Sequence, residues 1–75
     1  MEPEEACLRV LRDAAPEALH WTVVLDRALR ERLLDPFTVR DLRGTVVKRL
    51  AALAREGRIE KQSTGVYRAK PPEAV

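Results

Sequence analysis

Val46 to Lys70 reads VVKRLAALAREGRIEKQSTGVYRAK, and the change of pattern inside it decides the fold. Over its first part apolar residues recur at helical spacing: Val46, Val47, Leu50, Leu53 and Ala54 share one side of a helix expected from Thr45 to Glu56. Gly57 follows, where a left-handed residue commonly ends a helix. Beyond it the period shortens. Arg58 to Gln62 and Val66 to Lys70 read as two short strands, joined by Ser63-Thr64-Gly65 with glycine where a three-residue hairpin loop needs a positive φ. Ile59, Tyr67 and Ala69 are the inward residues of that hairpin, leaving Lys61, Gln62, Arg68 and Lys70 on or near its exposed side and tip. The other face of the helix carries Thr45, Lys48, Arg49, Ala52 and Arg55, and the first four lie side by side at i, i+3, i+4 and i+7.

Upstream, Pro3 suits a first helical position, and Glu4 and Glu5 favour the positive end of a helix dipole. A first helix is therefore expected over residues 3 to 14, with Cys7, Leu8, Leu11, Ala14 and Ala15 on its apolar side and Pro16 as its stop. Ala18-Leu19-His20-Trp21 is too short for a helix and apolar enough for a small strand or an extended link. Thr22 can cap a second helix whose stripe is Leu25, Ala28, Leu29 and Leu33, ending near Leu33 or Leu34. Asp26 precedes Arg30 by four residues, the favourable order for an exposed pair. Asp35-Pro36 marks a turn, and Thr38 with Asp41 resembles a variant capping box over Val39 to Arg43. Gly44 either interrupts that turn or sits inside one longer helix. Leu50 and Leu53 are expected in the core. Pro71-Pro72 closes a single domain, residues 1 to 70, followed by a frayed tail, 71 to 75.

The 75 residues allow one small core, near the size at which chains lean on disulfides, metals, partners or very regular helix packing. The lone Cys7 excludes an internal disulfide and a Cys-rich zinc site and points to a reducing compartment. No apolar run approaches the roughly 18 residues of a membrane span, and the acidic start does not read as a signal peptide. A cytoplasmic protein is expected. The chain holds 14 Lys+Arg and 12 Asp+Glu, a net +2 that conceals an uneven distribution. Residues 1 to 37 hold five bases and eight acids, net −3, whereas residues 38 to 75 hold nine bases and four acids, net +5. Such asymmetry hints at nucleic-acid or membrane contact.

Three helices followed by a basic hairpin resemble the winged helix-turn-helix family over roughly residues 6 to 70. The run Leu50-x-x-Leu53-x-x-Glu56-Gly57-x-Ile59, continued by Gly65-Val66-Tyr67-Arg68, is similar to the end of a recognition helix and its wing. Leu19-His20 and Gly65-Val66-Tyr67 further resemble the module found in RNA polymerase delta subunits and at the start of some restriction endonucleases. The resemblance implies a mainly α fold with a small β-hairpin. The link from Leu34 to Gly44 is longer than a tight helix-turn-helix turn.

A helix of about twelve residues is about 18 Å long, and the major groove of B-DNA admits it. Double-stranded DNA is thus the expected partner, bound through nine residues. Arg40 and Arg43 would contact phosphates before the helix, whose first turn offers free N–H groups. Thr45, Lys48 and Arg49, with the small Ala52 beside them, would face base edges or flanking backbone, with Arg49 the base reader. Lys61, Ser63, Thr64 and Arg68 of the wing would meet backbone or minor groove. Leu8, Val10, Leu11 and Ala15 cannot all face one small core, which offers a homodimer contact through the first helix. Trp21 and Tyr67 read as core aromatics, and His20 lacks a companion metal ligand. No catalytic, cofactor or metal motif is found, so a regulator of transcription or an accessory factor is expected rather than an enzyme. The alternative is a protein-protein adaptor working through Glu2, Glu4, Glu5 and Asp13.

Overall fold

The computed structural model describes residues 2–37 and 40–70. In chain order it has α1 (Pro3–Ala14), β1 (Leu19–His20), α2 (Trp21–Arg30), α3 (Leu42–Arg55), β2 (Ile59–Ser63) and β3 (Val66–Ala69). The strands make one antiparallel sheet in the order β1-β3-β2. Three helices against a small sheet whose last two strands form a projecting hairpin is the winged-helix-like arrangement the sequence led us to expect. The short Leu19–His20 segment is a true strand, with Leu19 opposite Tyr67 and His20 opposite Val66. No helix among the described residues is long and apolar enough to cross a membrane.

One apolar cluster joins all six elements. α1 gives Ala6, Cys7, Leu8, Val10 and Leu11; α2 gives Val24 and Ala28; α3 gives Val46, Leu50 and Leu53; Leu19, Ile59, Tyr67 and Ala69 come from the sheet and Leu34 from the α2–α3 loop. α1 is packed by α2, α3 and β3 together, and this changes the reading of its apolar residues. Leu8, Val10 and Leu11 are all at most 5% exposed, and only Ala15 stays outside. The apolar surplus that suggested a homodimer through this helix is therefore absent. Cys7 is inside as well, and burial, helped by the Glu4 carboxylate, pushes its thiol up to about 11. Protonated and enclosed, it serves as a small apolar side chain.

Two further positions depart from the helical stripes. Val47 was expected inward but is 41% exposed, because a step of about 100° per residue carries it past the edge of the Val46–Leu50–Leu53 face. On α2 the deepest residues are Val24 and Ala28, with Leu25, Leu29 and Leu33 packed at the core's margin.

The helix ends are where sequence and structure differ most. α2 begins one residue before Thr22, and its cap is His20, whose Nδ1 accepts from the Thr22 N–H at 3.2 Å and lies 2.7 Å from the Thr22 hydroxyl. The other end comes early, at Arg30. The Leu33 N–H reaches Ala28 C=O at 2.8 Å and the Arg32 N–H reaches Leu29 C=O at 3.1 Å, with Arg32 at φ 58. This is the Schellman closure with arginine where glycine is usual. α3 closes in the same way on Gly57 at φ 77, with Arg58 N–H to Leu53 C=O at 2.9 Å.

α3 starts three residues before Thr45. Asp41 is its cap, accepting from the Gly44 N–H at 3.1 Å, so Gly44 lies inside one continuous helix. A Cβ on Gly44 would collide with the Asp41 carboxylate, so a larger residue here would push the capping side chain aside. Thr38, the cap proposed from sequence, lies outside the described residues, as do the tail residues 71 to 75. In the hairpin Ser63 pairs with Val66, leaving a two-residue turn of Thr64 and Gly65, and Gln62 is the extra residue of a bulge between Lys61 and Ser63. The expected three-residue loop is shorter because this bulge restores the register one residue earlier.

Candidate nucleic-acid interface

α3 carries Arg43, Lys48, Arg49 and Arg55 and no acidic residue. Among the described residues none of these four, nor Arg40 or Lys61, makes an ion pair, whereas Arg30, Arg58 and Arg68 each do. These unpaired cations keep their full potential for an outside anion.

Their placement round α3 follows from the core. Lys48 stands about 140–160° from each of Val46, Leu50 and Leu53, the outermost direction of the helix, while Arg49 is only about 40–60° from Leu53 and Val46. Lys48 and Arg49 are both exposed. Arg49 thus projects from the flank rather than the crest, and the crest runs through Lys48, Ala51, Ala52 and Arg55. Two alanines between two long cations leave room for a groove wall to approach the helix. Arg55 completes this surface; the sequence reading put it on the helix's outer face but not among the DNA contacts. Its signal was its place one turn beyond Ala51 and two beyond Lys48. Thr45 is half-buried, its N–H spent on the Asp41 C=O at 2.9 Å.

The start of α3 is less suited to phosphate than expected. The Asp41 carboxylate already occupies the Gly44 N–H and puts a negative charge at the helix's positive end. Arg43 leaves this turn toward α2, where it borders a shallow depression with Trp21, Thr22, Leu25, Asp26 and Leu29. Arg40 is exposed just before the cap.

Strand register separates the wing's two cations. Lys61 is opposite Tyr67 and Glu60 is opposite Arg68, so Lys61 shares the helix-facing side with buried Tyr67 while Arg68 lies on the other. Lys61 borders a concavity with Ala51, Ala54 and Arg55, joining the wing to the α3 crest. Arg68 is engaged elsewhere: its Nε donates to Glu60 Oε1 at 2.8 Å. The sequence reading had placed Lys61 and Arg68 on one surface. Ser63 and Thr64 are exposed at the hairpin end.

The hairpin end is not free of packing. The Trp21 N–H donates to Gly65 C=O at 2.8 Å, and a Cβ at Gly65 would come within 3.0 Å of Trp21 Cδ1 and 3.3 Å of His20 Nε2. Gly65 is also at φ 75, so glycine is favoured here by conformation, and any side chain would press on the Trp21 and His20 rings. The wing is thereby pinned to the start of α2, with the His20 and Trp21 rings 5.6 Å apart beside it. Trp21 and Tyr67 belong to the core and its edge, as expected, while Phe37 is 95% exposed in the Asp35-Pro36-Phe37 turn.

What this surface can do chemically is bind an extended anion along a line from Lys48 through Arg55 to Lys61. No protein-family model matches the chain, and neither a curated protein nor a solved structure matches it significantly.

Proposed function

We propose that this domain is a cytoplasmic member of the winged helix-turn-helix family that binds double-stranded DNA, as a transcriptional regulator or an accessory factor. α3 lies along the major groove with Lys48, Arg55 and the small Ala51 and Ala52 foremost. Arg49 reaches from its flank toward base edges, where a guanidinium can pair with guanine. Lys61, Ser63 and Thr64 meet the adjacent backbone. One observation carries this reading: an acid-free helix whose four cations form no ion pair among the described residues, with Arg55 bordering a concavity shared with the likewise unpaired Lys61. A surface salt-bridge network would instead interleave carboxylates among them.

The adaptor alternative relied on an acidic first helix. On α1 Arg9 and Arg12 separate Glu4 and Glu5 from Asp13, and Glu4 faces Arg58 at 3.6 Å, so the acids form no continuous negative face. DNA binding is the better-supported reading. It is tested by titrating a fluorescent random-sequence duplex with the wild-type chain and with a Lys48→Ala, Arg55→Ala variant. The variant is expected to bind roughly tenfold more weakly or worse, a loss of about 1.4 kcal/mol. Equal affinity in the two proteins would remove α3 from the interface.

A further inference from the structure

We infer that Arg9, Arg12 and Arg58 form a second phosphate-binding surface, away from α3's outer face, that takes the backbone of another nucleic-acid segment. Arg9 and Arg12 are exposed on α1 three residues apart, which makes them neighbours on the helix surface. Arg58 reaches the same depression from the turn after α3, and the five lining residues are Glu5, Leu8, Arg9, Arg12 and Arg58.

Three features make this more than an exposed charged face. First, Arg9 and Arg12 have no ion pair among the described residues, although Glu5 and Asp13 lie four residues to either side of Arg9. Arg58 is held only loosely, at 3.6 Å from Glu4 and 3.9 Å from Glu56, with all three side chains well exposed. Second, the lining itself holds three cations and the single carboxylate of Glu5, with Glu4 and Glu56 reaching only Arg58 from outside it, and it stands over the buried Leu8, whose apolar body replaces water on one side and strengthens attraction to an anion. Third, all three cations are arginines, whose planar forks pair bidentately with phosphate oxygens.

The depression is shallow and offers no neutral hydrogen-bonding side chain that would read a sugar or a base. It suits a repeated phosphodiester rather than a nucleotide. Its place in the fold separates it from the α3 surface. Arg9 and Arg12 are on the side of α1 away from its buried residues, and Lys48 and Arg55 are on the side of α3 away from its own, with the shared core between. A duplex lying along Lys48 and Arg55 would leave Arg9 and Arg12, on α1's outer side, for another segment, so the domain would hold two segments at once. The identity of the polymer rests on the proposed DNA binding, while the anion site itself does not.

Side-chain Nε–Hε signals of the ¹⁵N-labelled full chain report each arginine separately. Two proteins are titrated, the wild type and the Lys48→Ala, Arg55→Ala variant, with inorganic pyrophosphate and with a duplex of about one helical turn. Arg9, Arg12 and Arg58 are expected to shift saturably with duplex in both proteins, at a midpoint well below that for pyrophosphate. In a bridging assay, capture of a labelled duplex on a bead-bound one should fall about tenfold when Arg9→Gln and Arg12→Gln are combined, as expected for two lost phosphate contacts. A melting curve confirms that this surface double variant is folded. Unmoved signals with duplex, or equal midpoints for duplex and pyrophosphate, overturn the inference. If these three arginines respond while Arg49 and Arg55 of the wild type do not, the α3 reading falls and this one stands. The reverse pattern removes this site and leaves the α3 reading intact.

Discussion

Arg32 occupies a position that glycine usually holds. At φ 58 its Cβ crowds the backbone, a cost of roughly 1–2 kcal/mol for an L-residue, while glycine there would surrender about 0.5–1 kcal/mol of extra chain freedom. Arg32→Gly is therefore expected to stabilise the domain by about 0.5–1 kcal/mol, raising Tm by roughly 2–8 °C in a chain of this size. A melting temperature that stays level or falls would mean that contacts of the Arg32 side chain outweigh the strain. Single residues also show where sequence reading stops. The Gly57 cap was legible because glycine advertises a left-handed position, whereas Arg32 makes the same closure with nothing in its type to announce it. His20 escaped as a cap for a similar reason. Serine and threonine are the familiar caps, and Thr22 stood two residues away. Arg49 looked like the leading contact by charge and spacing alone. Only the set of buried residues fixes the helix's rotation and puts Lys48 and Arg55 on the crest.

Among the elements, α1, α3 and the hairpin were legible because each buries a regular stripe, and their inward residues Leu50, Leu53, Ile59, Tyr67 and Ala69 are all in the core. The start of α2 was not, since it depends on partners distant in sequence, Gly65 against Trp21 and β1 against β3; nor was the bulge at Gln62, which no residue type announces. The wing's two faces separate two substitutions that sequence treated alike. Lys61→Ser removes an unpaired cation beside the α3 crest, and should weaken binding of any duplex severalfold without changing Tm, since surface changes usually stay within about ±0.5 kcal/mol. Arg68→Ser removes a cation already paired with Glu60 on the opposite face and should leave duplex affinity nearly unchanged. Anisotropy titrations of the two variants check this. A larger effect from Arg68 than from Lys61 would show that the other side of the wing meets the DNA.

For the molecule as a whole, the charge division seen in sequence becomes a division of surfaces. The basic second half supplies α3 and the wing, and the acidic first half is mostly α1 and α2, where Arg9 and Arg12 interrupt the acids and Asp26 pairs with Arg30 at 3.1 Å. That the whole basic line acts together on DNA is the claim on which the rest depends. Salt dependence tests it most directly, because releasing condensed counterions leaves a slope set by the number of phosphates neutralised. With Lys48, Arg49, Arg55 and Lys61 engaged, log K for a short duplex should fall with log salt at a slope of about −3 to −4, taking ~0.9 per contact. Affinity absent at low salt, or unchanged as salt rises, would contradict the account.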